Sequence, residues 1–372
     1  MIREERTDKR QRNFRYFDYS LLIIVLFMVC FGLVILYSTS SYNGQVKFQD
    51  SAYYLKKQLF ADILGIAVMA FVAQIDYRVW KNFWFIAYAG AFGMCTLVLF
   101  VGQELNGAKR WLKLGPVSFQ PSEMAKVAII VFLATIINKM PKQMGKFTSL
   151  IKVMLLVMPM VVIVASENLS TAIIILGIAI CLVFVSSPKY MQFIVMGGVV
   201  LAFGTAFIML ESYRAERLKI WLEPEKYEKG YQTLQGLYAI GSGGLFGKGL
   251  GSSMQKLGFV PEAQNDMIYS IICEELGLFG AIAIILMFIM LLWRMMVIAN
   301  NAPDLFGAML VVGVMGHIAI QAILNIAVVT NTIPNTGISL PFISYGGSSV
   351  MFLLIEIGLV LSVARRIQLK EL

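Results

Sequence analysis

The chain has 372 residues, of which 58% are hydrophobic and 14% are charged, and its mean hydropathy is +0.75. A soluble domain has about 25% charged residues, so this composition excludes a soluble globular protein and indicates a polytopic membrane protein. The net charge of +9 is spread over short loops between apolar runs. That distribution is typical of cytoplasmic loops and argues against a nucleic-acid-binding protein.

Apolar runs of about 20 residues predict an all-α polytopic fold with ten membrane spans. The first run follows a basic tail, 1–18, and lacks a small-residue cleavage site, so we expect a retained span and not a signal peptide. Basic residues after the even-numbered spans place both termini in the cytoplasm. We interpret the whole chain, 1–372, as a single membrane domain. The predicted spans are 19–38, 57–74, 83–102, 122–138, 150–166, 169–187, 191–211, 267–298, 305–330 and 347–364.

Three segments on the predicted outer side are too long or too polar to be simple turns: 39–56, 103–121 and 212–266. The last is a large extracytoplasmic loop between spans seven and eight. Long loops are translocated regardless of charge, so its cations do not contradict the orientation, but they favour an anionic partner. These cations are Arg214, Arg217, Lys219, Lys226, Lys229, Lys248 and Lys256.

Four carboxylates lie at the start of the eighth span, within FVPEAQNDMIYSIICEE: Glu262, Asp266, Glu274 and Glu275. Acids are costly in an apolar chain and mark candidate functional sites. Asp266 suits two roles, a cap for the N-terminus of the span or an ionised general base at the outer surface. Glu274 and Glu275 lie about 12 Å further along the helix, where we expect them to pair with cations or backbone groups.

A second polar group precedes the fourth span. It contains Arg110 and Trp111 in NGAKRW, and Glu123 and Lys126 in FQPSEMAK. Glu123 and Lys126 are three residues apart and share one helix face. They form either a self-satisfied ion pair or a site in which Lys126 contacts a phosphate. Trp111 is either an ordinary interfacial aromatic residue or a part of that site.

Two segments are rich in glycine. Segment 241–251, GSGGLFGKGLG, looks like a phosphate-binding loop, but Ser242 and Gly249 break the Walker pattern, so we expect no nucleotide. We interpret it as a flexible or re-entrant segment that packs on the spans. Segment 334–349, PNTGISLPFISYGGSS, predicts an irregular backbone at membrane depth.

Buried polar residues in the ninth span favour contacts between helices. Gln321 and Asn325 are at helical spacing, and His317 is the only histidine. We interpret all three as interhelical hydrogen-bond partners. A single histidine with no nearby cysteine gives little support to a zinc site or a Ser–His–Asp triad.

These segments together resemble the SEDS family (shape, elongation, division and sporulation) of RodA/FtsW/SpoVE-like proteins. The resemblance covers most of the chain in order and spacing, through NGAKRW, SFQPSEMAK, YQTLQGLYAIGSGGLFGKGLG, FVPEAQNDMIYSIICEELG, NAPDLFG and QAILNIAVV with ISLPFISYGGSS. At positions 264, 265 and 267, Gln, Asn and Met replace the usual His, Thr and Phe. At 167–171, ENLST stands where a QPDLGT-like segment is common.

The resemblance implies a peptidoglycan glycosyltransferase that polymerises lipid II at the outer face of the bacterial cytoplasmic membrane. It implies an inverting transfer, in which the acceptor GlcNAc 4-hydroxyl attacks C1 of the donor MurNAc and expels undecaprenyl diphosphate. The family's essential aspartate corresponds to Asp266, and the acid and lysine of its QPSExxK motif correspond to Glu123 and Lys126. The expected substrate-binding residues are Glu123, Lys126, Arg110, Trp111, Arg214 and Arg217.

A diphosphate leaving group needs positive charge, from arginine, lysine or a bound divalent cation such as Mg or Mn. The resemblance implies a class B penicillin-binding protein, a transpeptidase, as partner, besides lipid II and membrane lipid. Two other functions stay open: a lipid II flippase or other transporter, and a scaffold that only recruits the transpeptidase. The sequence shows no inverted repeat of the kind common in transporters.

Overall fold

The computed structural model describes residues 17–105, 108–114, 117–189, 191–194, 197–198 and 219–367. Within these ranges the fold is a bundle of long helices with one small sheet, in agreement with the predicted all-α class. The helices are α1 Tyr19–Phe48, α2 Tyr53–Gln74, α3 Trp84–Val101, α4 Pro121–Lys139, α5 Phe147–Glu167, α6 Leu169–Ser186, α7 Tyr231–Gly243, α8 Ile268–Asn300, α9 Leu305–Val329 and α10 Gly347–Ala364.

Eight of the described helices are long and apolar enough to cross a membrane, all except α2 and α7. Helix α2 has 22 residues and packs along α10, but it carries Lys56, Lys57 and Asp62. The predicted seventh span, 191–211, falls mostly outside the described residues, so the count of ten stays a prediction. Helix α1 continues from the predicted end at 38 to Phe48.

The two ends of the bundle carry different sets of ion pairs. Asp18, which caps α1, pairs with Arg294 of α8 at 2.6 Å, and Arg366 pairs with Asp76 at 3.0 Å. We call this end the terminal face, because the described chain begins and ends there. The opposite end, which holds the α5–α6 turn and the start of α8, is called the site face.

The most buried spans are α4, α9 and α10, and a polar network connects them. Lys126 Nζ lies 3.0 Å from Glu123 Oε2 and 3.2 Å from Gln321 Oε1. His317 continues the network, with Nε2 2.9 Å from Gln321 Oε1 and Nδ1 2.7 Å from Glu356 Oε2. Polar side chains between spans must satisfy one another because no water is available there. The prediction that His317 and Gln321 bind neighbouring helices is confirmed.

A small antiparallel sheet lies between α3 and α4, where the sequence predicted only a polar outer segment. It has three strands in the order β1 Gln103–Leu105, β2 Ala108–Leu114 and β3 Val117–Phe119. The β1–β2 pairing is irregular between Gln103 and Glu104. The sheet matters for the site because its central strand carries Arg110 and Trp111.

Helix α8 is interrupted at Gly277, where the backbone has a φ of 66°. A Cβ atom at this position would lie 2.4 Å from the backbone nitrogen of Gly247, so only glycine fits. The segment that contains Gly247 packs against this break. The prediction that this segment packs on the spans is confirmed, because its backbone contacts α8.

Glu274 and Glu275 hold this segment and the chain that follows it in place. Glu274 is fully buried and accepts from Lys248 Nζ at 2.7 Å, while Glu275 accepts from Lys256 Nζ at 2.7 Å. The Ser38 hydroxyl of α1 also donates to both Glu275 oxygens, at 2.7 and 2.8 Å. The prediction that these two acids pair with cations inside the bundle is confirmed.

Candidate functional site

Asp266 lies at the site face, in the turn that leads into α8. Its side chain is half-buried, and Gln232 Nε2 of α7 lies 3.4 Å from each carboxylate oxygen. Its main-chain carbonyl accepts from Asn325 Nδ2 at 2.8 Å, and the same amide donates to Ile338 O at 2.6 Å. Asn325 therefore fixes the turn with Asp266 against α9 and against the irregular segment that precedes α10.

The prediction that Asp266 caps the N-terminus of α8 is wrong. The cap position of α8 is Met267, and no side chain makes a capping hydrogen bond there. The Asp266 carboxylate is thus held by the Gln232 amide and by nearby backbone N–H groups, and it remains at the surface of the site.

Burial raises the pKa of Asp266 to about 6, because removal from water disfavours the charged form. The nearby Glu262 carboxylate adds to this rise. The backbone N–H groups of Asp266 and Met267 and the Gln232 amide act in the opposite direction. A carboxylate with a pKa near 6 is mostly ionised at neutral pH and is a stronger base than an ordinary aspartate, which suits general base catalysis.

Asp266 opens onto a cavity of about 740 Å³. Two acidic and two basic residues line its described part: Asp266, Glu167, Arg110 and Lys229. The other lining residues come from the α5–α6 turn, from the chain before and within α7, and from the segment before α10: Ala165, Ser166, Asn168, Leu169, Ser170, Ile220, Trp221, Gln232, Thr233, Asn331, Pro334, Asn335, Thr336 and Gly337.

The structure brings Arg110 to the same cavity as Asp266. Arg110 Nε donates to the main-chain carbonyl of Glu167 at 2.7 Å, which attaches β2 to the end of α5. Trp111, the next residue on the strand, is half-buried and is not among the lining residues. The other two expected cations, Arg214 and Arg217, lie outside the described residues.

Glu123 and Lys126 lie in the interior of the bundle and do not line this cavity. Both are almost completely buried, and of the two arrangements left open by the sequence, the structure has the ion pair. In this conformation the Lys126 ammonium is satisfied by Glu123 and Gln321. The contact of Lys126 with a phosphate stays a prediction.

The sequence assigned no individual role to Glu167, Lys229 and Gln232, which all line the cavity. Gln232 lies in the YQTLQG segment, whose resemblance was noted without a role for the glutamine. Lys229 was only one of many loop cations. Glu167 is the last residue of an apolar helix and begins the ENLST segment, which was noted only as a departure from a QPDLGT-like segment. Its carboxylate oxygens have no hydrogen-bond partner among the described residues.

The described residues do not form a metal site by themselves. No group of three or more His, Cys, Asp or Glu side chains lies close enough to hold an ion in the described ranges. Asp266 and Glu167 are the only carboxylates that line the described part of the cavity. We therefore derive no catalytic step through a metal.

The sequence matches the FtsW/RodA/SpoVE family, described as cell cycle proteins, over residues 19–369. The chain belongs to this family. Among curated relatives of this FtsW/RodA/SpoVE-family protein, stage V sporulation protein E of Bacillus subtilis is 38% identical over 354 residues, which cover 94% of this chain and 97% of that protein. A probable peptidoglycan glycosyltransferase FtsW of Geobacter sp. strain M18 is 35% identical, with 96% of this chain and 99% of the relative covered.

Solved structures have the same fold. A chain from a peptidoglycan synthase complex, described as coordinating polymerization and crosslinking, superposes with a TM-score of 0.81 at 28% identity and covers 94% of this chain and 98% of that one. The rod shape determining protein RodA of Thermus thermophilus has a TM-score of 0.69 at 25% identity, covering 95% and 98%. The FtsW/RodA/SpoVE-family protein is accordingly a multi-pass membrane protein.

Proposed function

We propose that this protein is a peptidoglycan glycosyltransferase that polymerises lipid II at the outer face of the bacterial cytoplasmic membrane. The observation that carries the proposal is Asp266, a carboxylate with a raised pKa that opens onto a cavity of about 740 Å³ at one face of a membrane bundle. Relatives whose alignments cover more than nine-tenths of this chain are named probable peptidoglycan glycosyltransferases, which supports this reaction class.

In the proposed reaction, Asp266 removes the proton from the 4-hydroxyl of the acceptor GlcNAc. The hydroxyl oxygen forms a bond to C1 of the donor MurNAc from the side opposite the leaving group, so the anomeric configuration inverts. The bond from C1 to the diphosphate oxygen breaks, and the electron pair leaves with undecaprenyl diphosphate. General base catalysis of this kind contributes about 10²- to 10⁴-fold.

Positive charge next to the leaving diphosphate stabilises the charge that develops on it. Arg110 and Lys229 line the cavity with Asp266 and are our candidates for this role. Arg110 is held in place by its hydrogen bond to the Glu167 carbonyl. The binding roles expected for Glu123, Lys126, Trp111, Arg214 and Arg217 remain part of the proposal.

We place the terminal face in the cytoplasm and the site face outside. The ion pairs at the terminal face contain Arg78, Arg294 and Arg366, and basic residues concentrate on the cytoplasmic side of membrane proteins. This orientation puts Asp266 on the side where lipid-linked sugars are polymerised.

The proposed partner is a class B penicillin-binding protein, a transpeptidase that crosslinks the new strands. The likeness to a chain of a solved peptidoglycan synthase complex supports this partner. A divalent cation that accompanies the lipid diphosphate is a further expectation, which a chelator tests directly.

The decisive experiment places the purified protein in proteoliposomes with fluorescent lipid II, with and without its transpeptidase and with and without chelator, and resolves the glycan strands on a gel. We expect polymer from the wild type and at least a hundredfold loss in Asp266→Ala and Asp266→Asn. The control is Glu223→Gln, because Glu223 lies outside the cavity in an exposed pair with Lys226. Folded Asp266→Ala that polymerises at the normal rate would contradict the base role. Movement of lipid II across the bilayer without any polymer would instead identify a flippase.

A further inference from the structure

The glycine-rich loop Gly244–Leu250, which connects α7 to the chain before α8, exposes large apolar side chains at the site face. Phe246 is 78% exposed, and Leu245 and Leu250 are also exposed. We call this segment the apolar loop. Large apolar groups that point away from a protein mark contact with a lipid or with another protein.

The depth of the apolar loop in the membrane can be read from α8. The loop is bonded to the start of the spanning part of α8, since Leu278 N donates to Gly244 O at 3.0 Å and Phe279 N donates to Leu245 O at 3.2 Å. Sixteen residues of helix, about 24 Å, separate Leu278 from Arg294 at the terminal face. The hydrocarbon layer is about 30 Å thick, so the loop lies near its edge on the site face and not in bulk water.

The exposed surface of the loop continues the lipid-facing side of α8. That side consists of exposed apolar residues at helical spacing: Phe279, Ile282, Leu286, Ile289, Met290 and Trp293. The ring of Phe246 packs on the ring of Phe279, with centroids 5.1 Å apart. Since α8 presents this side to lipid, the adjoining side chains of the loop face the same medium.

Part of the loop's backbone is hydrogen-bonded to α8. Lys248 N donates to Glu274 O and Gly249 N donates to Glu275 O, both at 2.9 Å, and the break at Gly277 leaves these two carbonyls without helical partners. Irregular backbone at membrane depth is tolerated where it packs against protein, as this segment packs on α8. The loop's cation is paired as well, because Lys248 Nζ lies 2.7 Å from Glu274 Oε1.

We propose that the apolar loop is a membrane-inserted element, and that Leu245, Phe246 and Leu250 enter the acyl region of the leaflet at the site face. The partner of this apolar surface is the lipid bilayer. The loop joins α7, which carries Gln232, to the chain that carries Asp266. Its insertion therefore holds the carboxylate at a constant height above the lipid, where a sugar on a lipid carrier can reach it.

The test uses the full chain alone in lipid nanodiscs and compares Phe246→Trp with Glu225→Trp, which lies on an exposed turn before α7. The emission of the added tryptophan is obtained by subtracting the wild-type fluorescence. The measurement is how strongly brominated phospholipids or aqueous iodide quench this emission. We expect the tryptophan at 246 to emit at a shorter wavelength than the tryptophan at 225. Brominated lipid should quench it at least twofold more, and iodide should quench it little. Leu250→Trp serves as a second position with the same expectation.

Equal iodide quenching at positions 246 and 225 would overturn the proposal. So would protection of position 246 only after the transpeptidase is added, because the surface would then be a protein-docking site. Neither result depends on whether the protein polymerises lipid II, so the location of the loop is tested separately from the proposed activity.

Discussion

Gln232 Nε2 lies 3.4 Å from both carboxylate oxygens of Asp266, and this contact joins α7 to the turn before α8. The glutamine is oriented from the other side, because its Oε1 lies 3.4 Å from Asn335 Nδ2. A neutral amide is the nearest side-chain partner of the carboxylate among the described residues. The Asp266 pKa is therefore determined mainly by burial, which raises it, and only weakly by its neighbours.

The rate of polymerisation should depend on pH through Asp266. A general base acts in its ionised form, so the rate should be constant above the pKa and fall about tenfold per pH unit below about 6. Initial rates in proteoliposomes between about pH 5 and pH 8 check this expectation. A rate that stays flat across this range would show that another group is the base.

Gln232→Leu should move this midpoint to higher pH. The substitution removes an amide that lowers the Asp266 pKa and adds apolar surface next to the carboxylate, so both changes favour the protonated form. The measurement is the pH profile of the variant, compared with Gln74→Leu, the same change at an exposed position on α2. An unchanged midpoint with a uniformly reduced rate would mean that Gln232 contacts substrate and does not tune the base.

Glu275→Ala should destabilise the protein strongly. It leaves the Lys256 ammonium buried without its carboxylate, a loss that costs about 3–5 kcal/mol for a buried pair. The matched control is Glu223→Ala, whose pair with Lys226 has the same 2.7 Å distance but is exposed to solvent, so its loss should lower the stability much less. Thermal unfolding in detergent measures both.

The double variant Glu275→Ala/Lys256→Ala extends this test. Its loss of stability should be smaller than the sum of the two single losses, because residues in direct contact are not additive. Additive losses would indicate that the two side chains act independently in the folded protein.

Gly277→Ala should prevent the glycine-rich loop from packing on α8. The backbone at Gly277 is left-handed, and a methyl group would meet Leu245 O at 2.5 Å. Gly93→Ala in α3 is the control, because no atom lies within 4 Å of a Cβ there and alanine stabilises a helix interior by about 1 kcal/mol. The Tm should fall in Gly277→Ala and rise in Gly93→Ala. A Gly277→Ala protein with unchanged Tm would contradict a tight contact between Gly277 and Leu245.

Much of the candidate site could be predicted from local sequence, because its main carboxylate stands out against an apolar background. Asp266 and Arg110 were both predicted and both line the cavity. Glu123 and Lys126 were predicted as neighbours on one helix face, which is correct, but the sequence could not tell whether that face meets a cavity or other helices. The answer depends on α9, whose Gln321 is almost 200 positions away in the chain.

The sequence by itself determined that this chain crosses a membrane many times, and where most of its helices lie. A span is a local requirement, since each helix must satisfy its own backbone in lipid and needs about 20 apolar residues to do so. Only the tertiary structure shows that one cavity is lined by Glu167, Gln232, Asp266 and Asn335. Only it shows that the glycine-rich loop is hydrogen-bonded to α8 at the break near Gly277. Such contacts depend on how helices far apart in the chain pack together, and the periodicity of a single segment does not contain that information.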